Sequence, residues 1–335
     1  MMKHVTMIIM ALLFNSLTGA AFASILGVAP IAGAIGMNAV GMLVGYTPDT
    51  ASILRAGLEG SWLDGIPDQS SIVENDVIHL VDVGVDPEVL VNNTTYPIEI
   101  QELDDKDIAI KLDKFQTKVT PITDDELYAI SYDKMQRVKE SHSNSINDAK
   151  FAKAAHSFCA KNNTATTPVL KTTGPKVEGT NRLRLIPNDL VALKATLDNL
   201  MVPADNRRLV LCTDHVNDLL LVDQSFKEQY NIDRNTGKIG RLYGFDIYEY
   251  ANNPIYTTAG AKKALAAKPE TGEFQCSFAF YTKRVFKATG STRMYFSEAS
   301  TDPQHQRNLI NYRHYFIAMP KKEDAAAVMM SSYQA

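Results

Sequence analysis

The feature that most constrains the fold is a long helical pattern in the first half of the chain. No Gly or Pro occurs from Thr123 to Thr167, and apolar or small side chains recur at three- and four-residue steps from Leu127 to Cys159. Thr123 and Glu126 form a capping box, in which the Thr oxygen accepts from the helix backbone and Glu reaches back to it. The pattern predicts one amphipathic helix of up to about 36 residues, about 54 Å long, which can cross a whole domain.

The segment before this helix is acidic and reads as strands. Residues 72–120 alternate between apolar and polar, most regularly from Ile108 to Asp113, which predicts strands with one apolar face. Glu74–Glu126 carries 14 acidic side chains against four lysines, for a net charge of −10. These strands are predicted to form a hairpin. Because a hairpin with so many acidic side chains is poorly suited to burial in its own core, we expect it to project from the rest of the fold. Its candidate contact residues are Glu99, Glu102, Asp104, Asp105 and Asp107.

The rest of the chain is basic. From Leu127 to the end, 28 Lys and Arg face 20 acids, for a net charge of +8, although the whole chain has a formal net charge of only −4. Opposite charges in separate segments can meet within one copy or between copies, and they steer association more than they set affinity. On the basic side, the candidate contact residues are Arg207, Arg208 and Arg241.

The second half of the sequence predicts short helices alternating with short strands, a compact α/β unit of about 100 residues. Asn188 or Asp189 is the expected cap of a helix over 190–200, and Thr213 or Asp214 begins a second helix that ends at Val222. Strands are predicted at 207–212, 242–250, 274–286, 293–297 and 312–319, followed by an Ala-rich polar tail. With the long helix and the acidic hairpin, this pattern predicts an α+β fold.

The N-terminus permits three interpretations. Lys3, the apolar run Val5–Phe14 and the small residues around Ala21-Phe22-Ala23 are typical of a secretory signal peptide cleaved after Ala23. Ile25–Tyr46 is also apolar and uncharged, which is long enough for a membrane span. The alternative is an N-terminal arm whose apolar side chains lie against neighbouring protein. Three isolated cysteines, Cys159, Cys212 and Cys276, favour a reducing compartment over export.

Motifs for catalysis, nucleotides or metals are missing from the sequence. The Gly237-Lys238 pair has Ile232 where a phosphate loop needs its first Gly and Ile239 where it needs Ser or Thr. No C-x-x-C or H-x-x-x-H spacing offers ligands for zinc. We therefore expect no metal, no cofactor and no small-molecule substrate.

Two residue pairs that could carry chemistry have simpler structural explanations. Asp104 and Asp105 on an acidic hairpin are more typical of a solvated face than of paired catalytic carboxylates. Cys212 lies in an apolar run three residues before His215, which favours two structural residues over a thiolate–imidazole pair. The sequence thus predicts a chain without catalytic residues.

An apolar arm, a projecting hairpin and a spine helix each have too little core to be stable alone, so neighbouring copies must supply the missing contacts. We therefore expect a protein that assembles with itself, which in a closed shell repeats head-to-tail contacts until the rotation closes. The main alternative is an exported bacterial surface or periplasmic binding protein bearing a signal peptide at residues 1–23. A weaker one is an enzyme whose site is built from scattered polar residues.

The stretches Pro203–Leu211, Leu219–Asp223 and Gly237–Tyr248 carry a resemblance. Proline and arginine before an apolar strand, then a Gly-Phe-x-x-Tyr strand, look like the pattern of the major capsid (coat) protein of tailed bacteriophages, the Hong Kong 97-type fold. The residue pattern covers about residues 200–250, and the order of elements covers about 50–320. The chain departs from the family at its start, where an apolar leader replaces the charged scaffolding segment that such proteins often carry.

The resemblance implies a domain order and a set of partners. It implies an N-terminal arm (1–73), an extended acidic loop (74–122), a peripheral domain with the spine helix (123–180), an axial domain (181–286), and return strands with a C-terminal tail (287–335). It also implies self-assembly into pentamers and hexamers of an icosahedral shell in the virion, formed in the host cytoplasm and enclosing double-stranded DNA without sequence-specific contacts. Portal, scaffold and decoration proteins are further implied partners, and no membrane partner is implied.

Overall fold

The fold is described from a computed structural model that places residues 60–74, 76–82, 106–123, 125, 134–230, 237–302, 304–321 and 326–334. The chain divides into two compact units. The larger unit comprises 58–121, 141–297 and 309–335, and the smaller one comprises 1–57, 122–140 and 298–308. The five-part division predicted from the sequence stays a prediction, because most of its first two parts lies outside the described residues.

Four α-helices and fourteen β-strands are present in the described residues. The helices are α1 (Lys134–Phe158), α2 (Pro187–Asn199), α3 (Thr213–Val222) and α4 (Gln224–Gln229). The first strands are β1 (Val73–Glu74), β2 (Val77–Asp82), β3 (Lys106–Lys111), β4 (Asp113–Gln116), β5 (Thr120–Thr123), β6 (Val169–Lys171) and β7 (Arg207–Leu211). The later strands are β8 (Lys238–Leu242), β9 (Phe245–Glu249), β10 (Ile255–Tyr256), β11 (Phe274–Tyr281), β12 (Val285–Ser297), β13 (Arg307–Pro320) and β14 (Ala326–Met330).

A mixed sheet forms the centre of the larger unit. Its strand order is β6-β14-β11-β7-β9-β8, with β10 also paired to β11. The pairs β6–β14 and β7–β9 are parallel, and the others along this order are antiparallel. Because side chains alternate along a strand, β11 sends Phe278 and Phe280 to one face and Ala279 and Tyr281 to the other.

Both faces of this sheet are covered. On one face, Phe158 at the end of α1 packs edge-on against Trp62, with the two ring centroids 5.8 Å apart. On the other face, α2 and α3 contribute a set of buried leucines and a valine, namely Leu190, Leu193, Leu197, Val216 and Leu219. Helices on both faces explain why the strands read as nearly continuous apolar runs.

The long helix is confirmed for the part that is described. α1 has 25 residues from Lys134 to Phe158, which corresponds to about 37 Å. Thr123, the predicted cap, is the last residue of β5, while 124 and 126–133 lie outside the described residues. At the Ala-rich end of the helix, Ala154 and Ala155 are buried in the core.

Four details of the predicted elements were wrong. The strand expected at 242–250 is shorter: it is β9 (Phe245–Glu249), because Tyr243 and Gly244 adopt positive φ angles of 51° and 82° in the turn that joins it to β8. The strand expected at 274–286 is interrupted by a 3-10 turn at Thr282–Arg284. The first turn of α2 begins at Pro187, and Asp189 accepts from the backbone N–H of Ile186 at 3.2 Å instead of being the cap itself.

The fourth correction concerns the end of the chain. The segment expected to be a polar tail contains β14, whose five residues are all buried. It inserts between β6 and β11, inside the central sheet. The local composition did not predict this strand, because alanine and methionine have weak strand propensity. Pairing with β6 on one side and β11 on the other stabilises it.

The smaller unit is described only in part. It contains the first turns of α1 and a turn between β12 and β13. In that turn, the carboxylate of Asp302 forms an ion pair with Arg307 at 3.4 Å, and Asn308 accepts from the backbone N–H of Ala299 at 3.0 Å. These contacts stabilise the turn that connects β12 to β13.

Candidate assembly surfaces

The acidic hairpin is anchored to the larger unit at its base. β2 and β3 pair antiparallel from Val77 opposite Lys111 to Asp82 opposite Lys106, as expected for a hairpin. Ile78 and Leu112 are buried together with Phe286 and Ala288 of β12. The hairpin base is therefore held by apolar contacts within the chain.

A close approach of backbones fixes this anchor. Asp76, with a positive φ of 62°, places its Oδ1 3.3 Å from the hydroxyl of Ser291, and its carbonyl accepts from the N–H of Leu112 at 3.0 Å. A Cβ at Gly290 would lie 2.8 Å from Asp76 and 2.9 Å from Leu112, so only glycine fits there. The orientation of the hairpin base is thus set by tight local packing.

Most of the acidic candidates lie beyond this base. Glu99, Glu102, Asp104 and Asp105 lie outside the described residues. Asp107 belongs to β3, opposite Val81 in the register, and its side chain is not described. Their role in contacts between copies stays a prediction.

The three basic candidates differ in accessibility. Arg207 is only 2% exposed and donates to the carbonyls of Val202 and Pro203 while pairing with Asp198 at 2.7 Å. Its guanidinium forms these contacts within its own chain, because the apolar strand β7 places Arg207 in the core. A contact of Arg207 with another copy stays a prediction, although these internal contacts leave little of its side chain at the surface.

Arg208 is partly buried, whereas Arg241 is exposed. The guanidinium of Arg208 donates to the carbonyl of Trp62 at 2.7 Å and lies 5.4 Å from the ring centroid of Tyr248. The nearest ion-pair contact of Arg241 is 3.9 Å, to Asp246. Among the three, Arg241 retains the most charge at the surface for a second copy.

A further surface was not predicted from the sequence. Three consecutive residues near the end of β12 have large exposed apolar side chains: Met294 (48%), Tyr295 (42%) and Phe296 (44%). Because neighbouring side chains on a strand point to opposite faces, this run makes both faces of the strand apolar. We call this outer part, residues 291–297 of β12 with 309–314 of β13, the β12–β13 ribbon. The run Met294-Tyr295-Phe296 was the available signal in the sequence.

The charges of the ribbon are unusual. Arg293 and Arg313 lie directly opposite each other in the register, a destabilising arrangement for like charges. The Arg313 guanidinium lies 5.3 Å from the ring centroid of Tyr295 and 5.6 Å from that of Tyr315, contacts that partly offset the repulsion. Such a surface attracts carboxylates.

The Cys212–His215 pair is structural, as predicted. His215 is 0% exposed and its Nδ1 and Nε2 lie 2.7 and 2.8 Å from the hydroxyls of Ser277 and Ser331. Burial lowers the pKa of His215 to about 3, with Arg182 adding to the effect, and burial raises the pKa of Cys212 to about 11. A neutral thiol and a neutral imidazole without solvent access offer no nucleophile.

A buried ion pair completes this network. Arg182 donates to both carboxylate oxygens of Asp218, at 2.6 and 2.9 Å, and Asp218 also accepts from the N–H of Leu185 at 3.0 Å. With the Ser331 contact, the network ties the chain after β14 to α3. Elsewhere in the core, the Sγ atoms of the free cysteines Cys159 and Cys276 lie 3.9 Å apart, although the two residues are distant in sequence.

The described residues contain neither a metal-binding cluster nor a membrane-spanning helix. No group of three or more His, Cys, Asp or Glu is arranged there to hold a metal ion. Nor does any helix in these parts of the chain combine the length and the apolar character needed to cross a bilayer.

Comparison with solved structures identifies the fold. A chain from Mycobacterium phage Che8 matches with 14% identity and a TM-score of 0.53, covering 80% of this chain and 90% of that one. A chain from the capsid of a native GTA particle matches with 11% identity and a TM-score of 0.58, covering 82% and 90%. A chain from the capsid of Ralstonia phage GP4 matches with 8% identity and a TM-score of 0.54, covering 81% and 87%.

These matches establish the architecture. Neither a protein-family model nor a curated protein sequence matches the chain. The likeness is therefore one of structure alone, and it confirms the predicted α+β fold as one found in phage capsid chains. Because it extends over about nine tenths of each neighbour, the shared architecture is that of the whole chain and not of one common motif.

Proposed function

We propose that this chain is a self-assembling major capsid protein, a structural subunit of the shell that encloses phage DNA. The observation that carries the proposal is the fold shared with the GTA and GP4 capsid chains over more than four fifths of this chain. The chain acts through the contacts it makes, and we propose no enzymatic activity for it.

The unpaired surfaces of the chain support assembly with further copies. The β12–β13 ribbon exposes apolar side chains on both faces, and burying them would supply most of the affinity. Arg241, whose contact with Asp246 is as long as 3.9 Å, and the opposed pair Arg293 and Arg313 offer positive charge to a neighbouring copy. The acidic loop, with Glu99, Glu102, Asp104, Asp105 and Asp107, is the complementary part of a neighbouring copy.

Charge would guide this contact more than it stabilises it. Individual exposed ion pairs contribute only about 0–1 kcal/mol, so no single pair can hold a shell together. Their expected effect is on the rate and orientation of association, whereas apolar burial determines how long the contact lasts. This division of roles makes assembly sensitive to salt.

The remaining partners follow from the proposal. Copies would associate as pentamers and hexamers, with portal, scaffold and decoration proteins as additional partners and double-stranded DNA bound without sequence preference. The site of action would be the virion, after assembly in the host cytoplasm.

Negative-stain electron microscopy of the purified full-length chain tests the proposal. We expect regular shells or capsomer rings, and their number should fall as the salt concentration rises. A preparation that contains only dispersed 37.0 kDa monomers at both low and moderate salt would contradict the proposal.

A further inference from the structure

Two of the three cysteines meet in the core of the larger unit. Cys159 directly follows α1, and Cys276 belongs to β11, 117 positions further along the chain. Their Sγ atoms lie 3.9 Å apart, and the two residues are only 3% and 0% exposed. At this distance one thiol can donate a weak hydrogen bond to the other, or oxidation can join the two sulfurs.

Hydrogen bonds of the main chain hold both cysteines in place. The N–H of Cys276 donates to the carbonyl of Pro254 at 2.9 Å. On the other side, the hydroxyl of the buried Tyr256 donates to the carbonyl of Ala160, the residue after Cys159. The fold itself therefore places the two sulfurs side by side.

Joining the two sulfurs requires only a small movement. A disulfide bond is about 2.05 Å long, so the sulfurs must approach each other by roughly 2 Å. Rotation of the two side chains, with a slight shift of the main chain at Cys159, can supply this movement. Because Cys159 lies just beyond the last residue of α1, such a shift leaves the helix intact.

A cavity of about 300 Å³ adjoins one of the two cysteines. Cys159 is among its lining residues, with Lys161 and Lys262, whereas Cys276 is not. The volume is several times the roughly 30 Å³ of one water molecule, so a molecule of that size can enter. Hydrogen peroxide is a small, uncharged oxidant that fits this description. It would meet Cys159 first.

Lys262 provides positive charge beside the pair. Its Nζ donates to the carbonyls of His156 and Cys159, each at 2.7 Å. Burial lowers the pKa of Lys262, and the nearby Cys159 and Cys276 act in the opposite direction. By the same coupling, the ammonium group favours the thiolate, which is the form of cysteine that peroxides oxidise. Burial, with the hydrogen bond to Cys159, raises the pKa of Cys276, so Cys276 is the neutral partner.

We propose that Cys159 is a site of oxidation by hydrogen peroxide and that Cys276 converts the product into an internal disulfide. The Cys159 thiolate attacks one peroxide oxygen, the O–O bond breaks, and the released hydroxide takes up the thiol proton to form water. Cys159 is then a sulfenic acid. The Cys276 thiol attacks this sulfur, the S–O bond breaks, and the hydroxyl leaves with the thiol proton as a second water. The two thiols lose two electrons, and peroxide gains them.

The disulfide joins the end of α1 to β11. Because it links residues 117 positions apart, it restricts the unfolded chain strongly. We therefore expect the oxidised protein to unfold at a temperature about 5 °C higher than the reduced protein. The inference is independent of the proposed shell function, because this chemistry takes place within one copy.

Treatment of the full-length chain with hydrogen peroxide tests the proposal. The protein is then denatured with N-ethylmaleimide in the absence of reductant, digested, and analysed by mass spectrometry. We expect a disulfide between the peptides that contain Cys159 and Cys276, with Cys212 alkylated. Alkylation of all three cysteines, a disulfide that involves Cys212 or a second copy, or oxidation without a disulfide would overturn the proposal.

Serine variants test the order of the two steps. In Cys276→Ser, the sulfenic acid on Cys159 should persist and be labelled by dimedone, whereas Cys159→Ser should leave Cys276 reduced. Cys212→Ser, at the third buried cysteine, is the matched control and should form the disulfide like the parent chain. If circular dichroism shows that a serine variant does not fold, the alanine variant takes its place. Dimedone labelling of Cys276 in the Cys159 variant would overturn the assigned order.

Thermal unfolding before and after peroxide treatment measures the effect of the disulfide. The unfolding temperature should rise in the parent chain and in Cys212→Ser, and it should stay constant in Cys159→Ser. An equal rise in Cys159→Ser would show that the Cys159–Cys276 disulfide is not its cause.

Discussion

β11 and β12 are consecutive strands that each contain six apolar or aromatic residues, yet they differ in how far the chain covers them. From Cys276 to Tyr281 every residue of β11 is buried, whereas the outer part of β12, with Met294, Tyr295 and Phe296, is exposed. The first strand has a neighbour on each side and helices on both faces. Among the described residues, the outer part of the second pairs with β13 alone, and apolar side chains on both of its faces are exposed. Apolar composition therefore does not decide burial, and the open strand is the one available to another copy.

Matched truncations of one phenylalanine in each strand should give the largest contrast. Phe280→Ala removes a ring that lies 5.0 Å from Phe158 in the core, and we expect a loss of about 3–5 kcal/mol in unfolding free energy. Phe296→Ala should change it by less than about 0.5 kcal/mol but should lower the yield of shells. Urea denaturation and electron microscopy measure the two effects.

Equal destabilisation by the two substitutions would show that Phe296 belongs to the core of the isolated chain. Normal shell yield with Phe296→Ala would show that the ribbon is not a contact surface. Either result breaks the comparison between the two strands.

Charge pairs provide the second contrast. Asp218→Asn leaves Arg182 buried without its carboxylate partner, so we expect a loss of about 3 kcal/mol in unfolding free energy. Lys194→Met breaks an exposed pair with Asp198 on α2, and the expected loss is below about 0.5 kcal/mol. Thermal or urea unfolding of the two variants gives the values, and similar losses for both would contradict the assignment of the Arg182 pair to the core.

Lowering the pH should reduce the free energy of unfolding through the buried His215. Its pKa is about 3 in the fold and about 6.5 in the unfolded chain, so below pH 6.5 the unfolded state binds a proton that the folded state does not. Unfolding free energy should therefore fall as the pH is lowered, by roughly 2 kcal/mol between pH 6.5 and pH 5.

Urea denaturation at pH 7 and pH 5 measures this loss. His215→Gln should make the pH dependence shallower, while His79→Gln, at an exposed position of β2, should leave it unchanged. Parallel pH dependence in the parent chain and His215→Gln would mean that His215 is not the group responsible.

Charge reversal in the acidic hairpin should change the free energy of unfolding least for each substituted residue. Asp104, Asp105 and Asp107 changed together to Lys should leave the unfolding free energy nearly unchanged but impair assembly, because the loop would repel the basic surface of its neighbour. A control changes the exposed acids Glu178, Asp205 and Glu228 to Lys. Light scattering during assembly distinguishes the two triple variants, and normal assembly of the loop variant would refute its proposed role.

Regular periodicity made part of the fold predictable. The long helix, the strand Arg207–Leu211 and the helix Thr213–Val222 follow from patterns that a few neighbouring residues already specify. Periodicity failed where distant residues decide. The turn at Tyr243-Gly244 splits a run that alternates as one strand, and β14 depends on two strands that lie far from it in sequence.

The candidate contact residues show the same limit. The sequence indicated that arginines of the basic half would face a neighbour, but it could not distinguish Arg207, enclosed by Val202, Pro203 and Asp198, from the exposed Arg241. It also missed Arg293 and Arg313, which become neighbours only through strand pairing. Charge counts describe a segment, whereas accessibility belongs to the folded surface.

By itself the sequence determined the α+β class, the spine helix and the separation of acidic and basic segments, because these depend on local periodicity and on charges that no fold can change. Only the tertiary structure decided which apolar strands are covered and which arginine is buried. Those outcomes depend on contacts between residues that are far apart along the chain.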